Sequence, residues 1–390
     1  MKRICFLFNH DQTHQLAHSL PIALALAARG RHCIVLAYVK DAIRDEIVRQ
    51  AEPELLARVE LVKLGLKRSG SQALAGALER LVPATKLLIY RDNLDFFASF
   101  DAVVVSEKTT LLLKSRYGLG NLKLIHTRHG AGDRAIGFNK ESAGFDLVLV
   151  SGPKIRNRLI ADAGLSPEQI ALVGYPKFDL CAENRFADTF PAPQRPVVIY
   201  NPHPSPKLSS WFKHGAAVIE AFRTQDRYNL IFAPHVMLFE RKWVVTVDPP
   251  SLARVTPPGP ETCADPRIHV DTGSAASSDM SYTNRADIYL GDVSSQVYEF
   301  LRKPRPCLFL NSHGTAWQDD PNYLHWRAGS VLDGTDGLLD AIDAAVASHP
   351  GYAPTQAALI DATFSLSDRP SAERAADAIT AFLEGKTTLG

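Results

Sequence analysis

Residues 286–311 read ADIYLGDVSSQVYEFLRKPRPCLFLN. The apolar run 286–290 predicts a strand, 291–295 a polar turn, the residues to about 301 a short helix, and 306–310 a second strand. A strand, turn and helix feeding another apolar strand form the repeating unit of a parallel α/β sheet. Asp292, Ser294 and Ser295 then fall where the first strand ends and the helix begins. A helix N-terminus offers unpaired N–H groups and the positive end of the helix dipole, so this turn is a candidate phosphate site. Ser294 or Asp292 could cap the helix and leave the neighbouring hydroxyl and amides for phosphate oxygens. Glu299, one turn further on, could reach a ribose diol. An ordinary capped helix of an α/β protein is the competing reading of the same residues.

The alternation extends in both directions. Residues 4–8 are an apolar run ending in Asn9, His10, Asp11, Gln12, Thr13 and His14, and a helical pattern follows over 16–28, closed by Gly30. Further strands are expected at 33–39, 102–105, 122–125 and 147–150. The segment 184–196, ending in PAPQRP, breaks the periodicity and reads as a linker. Strands then recur at 197–200, 230–233, 288–290 and 307–310. Between His235 and His269 a Pro-rich insertion with VDPP and TPPGPE reads as an irregular surface loop. The expected fold class is therefore α/β, with two Rossmann-like domains facing across a cleft. Residues 1–183 form the first, 184–196 the linker and 197–370 the second, while a helix in 371–390 packs back on the first. Open sheets of this kind bind ligands at the carboxyl ends of their strands.

Composition excludes several classes. At 390 residues, with 46% hydrophobic and 22% charged residues, the chain is long enough for two cores and too apolar for disorder. Lys+Arg 43 against Asp+Glu 42 gives a net charge of +1, no electrostatic footprint for nucleic acid. The 5 cysteines are scattered, with Cys5, Cys33 and Cys307 inside strand-like runs, as expected of buried thiols in a cytoplasmic protein. The apolar run after the basic start is too short for a signal peptide, and no segment is long enough for a membrane span. Residues 81–100, LVPATKLLIYRDNLDFFASF, mix apolar and basic side chains. They are the one candidate for peripheral membrane contact, against a core-packing helix as the favoured reading. No G-x-G-x-x-G opens a helix, and neither a phosphate loop nor a nucleophile elbow is present. His10, His14 and His18 recur every four residues without supporting carboxylates, so no metal site is expected.

Three His-bearing turns directly follow predicted strands. LKLIHTRHGAGDR sets His126, Arg128, His129 and Gly130 after one; VVIYNPHPSPK sets Asn201, His203 and Lys207 after another; NLIFAPHV sets His235 after a third. Histidine and arginine at a cleft mouth suit a diphosphate leaving group and proton transfer from a hydroxyl.

The order of these motifs resembles the CDP-glycerol glycerophosphotransferase family, the teichoic-acid polymerase-like enzymes of GT-B architecture. His129-Gly130-Ala131 corresponds to the family's His-Gly-Thr turn, and Gly174-Tyr175-Pro176-Lys177-Phe178-Asp179 to its Gly-x-Pro-(Arg/Lys)-x-Asp segment. Tyr200-Asn201-Pro202-His203 is similar to its Tyr-x-Pro-Thr, and Ala233-Pro234-His235-Val236 to its Lys-x-His-Pro. Gly291-Asp292-Val293-Ser294-Ser295, with Glu299 and Lys303-Pro304, is similar to its Thr-Asp-Tyr-Ser-Ser signature. Ala131 stands for the usual Thr, and the lysine before His235 is missing. The opening, NHDQTHQLAHSLPIALALAARGRHCIVLA, instead resembles nucleotide-sugar glycosyltransferases.

The resemblance implies a GT-B transferase that uses a CDP-alcohol donor and an acceptor hydroxyl, lipid-linked in the family, without cofactor or metal. Asp292, Ser294, Ser295, Glu299, Asn201 and His203 would line the donor nucleotide and phosphate site. His235 would neutralise charge on the diphosphate, and His129 would act as base on the acceptor. An inverting glycosyltransferase with His14 as base is the alternative, and a non-catalytic nucleotide-binding protein of the same fold the third reading.

Overall fold

The computed structural model describes residues 1–10, 13–78, 84–128, 130–180, 186–187, 190–247 and 250–386. Two compact units emerge, each built on a parallel sheet. The first comprises Met1–His129, Phe138–Leu180 and Thr363–Gly390; the second comprises Gly130–Gly137 and Cys181–Ala362.

The first sheet has seven strands: β1 (Arg3–Phe8), β2 (Cys33–Tyr38), β3 (Val59–Lys63), β4 (Ala102–Val105), β5 (Lys123–Thr127), β6 (Leu147–Val150) and β7 (Ile170–Leu172). Their order is β3-β2-β1-β4-β5-β6-β7 and every pairing is parallel, so the strand order reverses between β1 and β4. Successive side chains serve opposite faces. Ile4, Phe6 and Phe8 pack with the helix Leu20–Arg29, while Cys5 and Leu7 join Tyr90 and Phe97 on the other side. Burial on both faces is why these strands read as unbroken apolar runs.

Pro21 lies in the first turn of Leu20–Arg29, and Gly30 ends it in the left-handed region at φ 62. The C-terminal helix Ser371–Leu383 covers its apolar side. Ala375, Ala376 and Ile379 share a core with Leu20, Ala23, Leu26 and Ala27, and Arg29 pairs with Asp377 at 2.5 Å. The chain enters this helix through Thr363 and Ser365. Ser151 Oγ donates to the Thr363 carbonyl at 2.8 Å, and Ser365 N donates to the Ser151 carbonyl at 2.7 Å. The approach is so close that a Cβ on Gly152 would lie 2.4 Å from that carbonyl oxygen.

The described part of the candidate membrane segment forms helices Ala84–Asp92 and Leu94–Ala98, with Ile89, Tyr90, Phe97 and Phe100 buried in the core. Among the described residues, no helix is long and apolar enough to cross a membrane.

The second sheet contains β8 (Val197–Asn201), β9 (Asn229–Phe232), β12 (Ile268–Val270), β13 (Ile288–Gly291), β14 (Cys307–Leu310) and β15 (Ser330–Leu332). The order is β12-β9-β8-β13-β14-β15, again parallel, with its reversal between β8 and β13. The expected irregular insertion instead contains an antiparallel hairpin, β10 (Trp243–Val247) with β11 (Pro250–Arg254). The β-branched run WVVTV favours extended backbone despite the surrounding prolines.

Candidate functional site

Where β8 and β13 lie side by side, at the reversal of strand order, Asn201 pairs with Gly291 and both strands end. That reversal is where an open α/β sheet leaves room for a ligand. The residues beneath it are a hydrogen-bonded frame. Asn201 is fully buried, and its Nδ2 donates to the Ala233 carbonyl at 2.6 Å, tying the end of β8 to the loop after β9. Asp292 is also fully buried: Oδ1 accepts from His203 N at 2.9 Å, and Oδ2 from Ser210 N at 2.5 Å and Ser210 Oγ at 2.8 Å. Burial pushes its carboxyl up to about 6 even against these donors. Both residues, expected at the phosphates, hold the loops that surround the site. Glu299, expected at the ribose, is buried in the helix Gln296–Phe300 at 6% exposure.

Ser294 and Ser295 sit where that helix begins. Ser294 Oγ accepts from Gln296 N at 3.3 Å, while Ser295 is exposed. Among the described residues, no backbone hydrogen bond takes up the amides of Ser294 and Ser295.

Against this turn lies the segment Gly130–Gly137, which belongs to the second unit. Gly130 has φ 76, and a Cβ there would lie 3.5 Å from Ser295 Oγ; one on Gly132 would lie 3.2 Å from Ser295 Cβ. Asp133 anchors the segment. Its carboxylate accepts from Tyr298 OH at 2.7 and 2.9 Å, and its Oδ2 also faces His325 N at 3.2 Å and His325 Nδ1 at 3.0 Å. The other ring nitrogen of His325 lies 3.2 Å from the Asp292 carbonyl, which also accepts from Trp326 Nε1 at 2.8 Å.

His203 and His235 follow the adjacent strands β8 and β9, with ring centroids 6.1 Å apart. His203 Nδ1 accepts from Ser205 N at 3.0 Å and His235 Nδ1 from Met237 N at 3.3 Å. An accepting Nδ1 leaves Nε2 as the protonated, donating nitrogen in each neutral ring. Burial lowers His203 well below its usual value, and electrostatic coupling to His235, Arg134 and His325 further disfavours a charge there. Burial alone holds His235 at about 4. Both rings are thus neutral N–H donors near pH 7, whereas charge neutralisation at a diphosphate calls for a proton gained on binding.

The remaining sequence-derived residues fall differently. His129 lies outside the described residues. His14 belongs to the 3-10 turn Thr13–His18 of the first unit, and its side chain lies outside them too. His126 stacks on Phe145 with centroids 4.5 Å apart, and its Nε2 lies 3.2 Å from the Ser106 carbonyl, a core position. Arg128 lies over the Phe138 ring, and burial lowers it to about 10. Sequence reasoning missed Asp133, Arg134, Tyr298 and His325. The quoted run HGAGDR contained the first two, but nothing in its spacing linked them to HW at positions 325–326. Among the described residues, no cluster of three or more His, Cys, Asp or Glu is placed to hold a metal ion.

No family model matches this chain, and no curated protein matches it. Solved structures do. The wall teichoic acid polymerase TagF is similar with a TM-score of 0.61 at 13% identity, over 98% of this chain and 90% of that one. A UDP complex of MnaA from S. aureus is similar with a TM-score of 0.60 at 14% identity, over 98% and 97%. A UDP-N-acetylglucosamine 2-epimerase is similar with a TM-score of 0.57 at 12% identity, over 99% and 96%. Likeness at this identity shows the fold: α/β, two Rossmann-like units of the GT-B class, as the sequence led us to expect.

Proposed function

We propose that this protein is a transferase that takes a nucleotide-diphosphate-activated donor at the β8/β13 reversal. One observation carries the reading: two neutral imidazoles, each with Nδ1 occupied by a backbone amide, follow β8 and β9, and the neighbouring β13 leads into a turn where no backbone hydrogen bond takes up the amides of Ser294 and Ser295 among the described residues. Preorganised N–H donors suit charge that grows on phosphate oxygens as a bond to the diphosphate breaks. The positive charge of Arg134, felt by His203, adds to the same field. The structures bound to UDP and to CDPG lend the reading support, since both share this fold.

In the finer reading the donor is CDP-glycerol or a similar CDP-alcohol. An acceptor hydroxyl, on a lipid-linked or cell-envelope polymer, attacks the distal phosphorus and CMP leaves. His129 takes the hydroxyl proton, while His203 and His235 donate to the diphosphate oxygens. The resemblance in the turns at 129–131, 174–179 and 291–295 supports this choice. A second reading has a UDP-sugar as substrate, reacting at sugar carbon, and rests on the likeness to a UDP-N-acetylglucosamine 2-epimerase, with a TM-score of 0.57.

One experiment separates them. The purified protein is incubated with CDP-glycerol, other CDP-alcohols and UDP-sugars, and released nucleotide is identified by anion-exchange chromatography. CMP supports attack at phosphorus. UDP release, or isomerised UDP-sugar, supports the second reading. Lack of turnover with measurable CDP or UDP binding would leave a nucleotide-binding protein of the same fold.

A further inference from the structure

We infer that His325 is a positioning residue of the anion site, fixing the turn Asp292–Ser295 through the carbonyl of Asp292. The inference rests on the donor-site reading above. His325 and Asp133 are both buried, and each nitrogen of the ring faces an acceptor: the Asp133 carboxylate at 3.0 Å and the Asp292 carbonyl at 3.2 Å. A carbonyl oxygen can only accept, so Nε2 carries a proton. An ionised carboxylate can only accept too, so both bonds require one proton more than a neutral ring beside a carboxylate.

The position matters because of what the Asp292–Val293 peptide does. Its carbonyl is held from one side by His325 Nε2 and Trp326 Nε1 at 2.8 Å. Its N–H is held from the other, Val293 N donating to Asp292 Oδ1 at 2.6 Å. That same Oδ1 accepts from His203 N at 2.9 Å. One peptide plane thus connects His325 to the next two amides, Ser294 and Ser295, and to the loop bearing His203. Asp133, at the other end, draws Gly130–Gly137 into the same array. Rotation of this plane would redirect the amides of Ser294 and Ser295, and a fixed donor direction is the property an anion site cannot lose.

Two near-isosteric variants divide the roles of the ring. Glutamine places an amide donor near Nε2, and asparagine places one near Nδ1. His325→Gln should keep the bond to the Asp292 carbonyl and lose that to Asp133; His325→Asn should do the reverse. CDP affinity by calorimetry, melting temperature, and the amide resonances of Val293, Ser294 and Ser295 are measured for each. The expected result is CDP binding about 10-fold weaker or worse in His325→Asn, with those amide resonances shifted. His325→Gln should bind within a few-fold of the parent at similar loss of melting temperature. Equal CDP affinities, or losses that merely follow melting temperature in both variants, overturn the inference. If the parent binds neither CDP nor UDP, the donor-site reading fails; the inferred hold on the turn then stands or falls on whether His325→Asn alone shifts the three amide resonances.

Discussion

At the scale of single residues, the candidate site is made of amide, hydroxyl and imidazole donors, with both rings oriented by backbone amides. Removing both hydroxyls of the turn, with Ser294→Ala and Ser295→Ala together, should weaken CDP binding by roughly 1–3 kcal/mol, read by calorimetry. Unaltered affinity would move the diphosphate elsewhere. The histidines give a pH dependence with a definite sign. His235 is held at about 4 and His203 also lies below its usual value, so both are neutral in the free protein near pH 7. A diphosphate beside them favours their charged forms and raises both values. Binding should therefore take up protons, and affinity should rise as pH falls from about 7 towards 5. Calorimetry in buffers of different ionisation enthalpy counts those protons; proton release on binding would contradict the assignment. The same depression acts on folding in the opposite sense. His235 contributes stability that is present above its unfolded value and lost as pH falls through about 4. Because amides, hydroxyls and imidazoles supply the donors, turnover should survive a chelator, which a rate assay with and without EDTA checks.

Elements, rather than residues, explain what the sequence disclosed. Strands β1, β2, β4, β8, β9, β13 and β14 are runs of four to six residues buried on both faces, and such runs announce themselves. β7, β12 and β15 are three residues long, too short for any period to register. The positions of His203, His235, Ser294 and Ser295 were legible because residues just after a buried strand are constrained to the sheet's carboxyl edge. Asp133 and His325 were not, since a pair 192 positions apart leaves no local spacing to read. The hydrogen bonds by which Asn201 and Asp292 tie neighbouring loops together were not legible, because a sequence cannot show which polar side chains turn inward. The junction at Gly152 supplies a test at this scale. Gly152→Ala would press a methyl against the Thr363 carbonyl, where 2.4 Å is available, and should cost about 1–3 kcal/mol in chemical denaturation. An unchanged midpoint would mean that the chain from Thr363 onward shifts freely.

On the scale of the whole molecule, neither unit is a continuous piece of chain. Residues 130–137 belong to the second and 363–390 to the first. Cutting the gene at the apparent linker should therefore give two poor fragments. Residues 1–190 alone should show a lower melting temperature and bind more of a hydrophobic dye than the parent, because Leu20, Ala23 and Ala27 lose their cover. Adding a peptide of residues 363–386 should reverse part of that change. A fragment as stable as the parent would assign the C-terminal helix a marginal role. The same closure has a consequence in time. Arg29 and Asp377 are 348 positions apart, so at about 5–20 residues per second a ribosome makes the second roughly 20–70 s after the first. Throughout that interval the nascent N-terminal half displays an uncovered apolar stripe, because the helix Ser371–Leu383 that hides it is translated later. A chain that stopped before residue 371 would carry that stripe permanently, a mark of truncation that the cell's chaperones and proteases can sense on the surface of the first half.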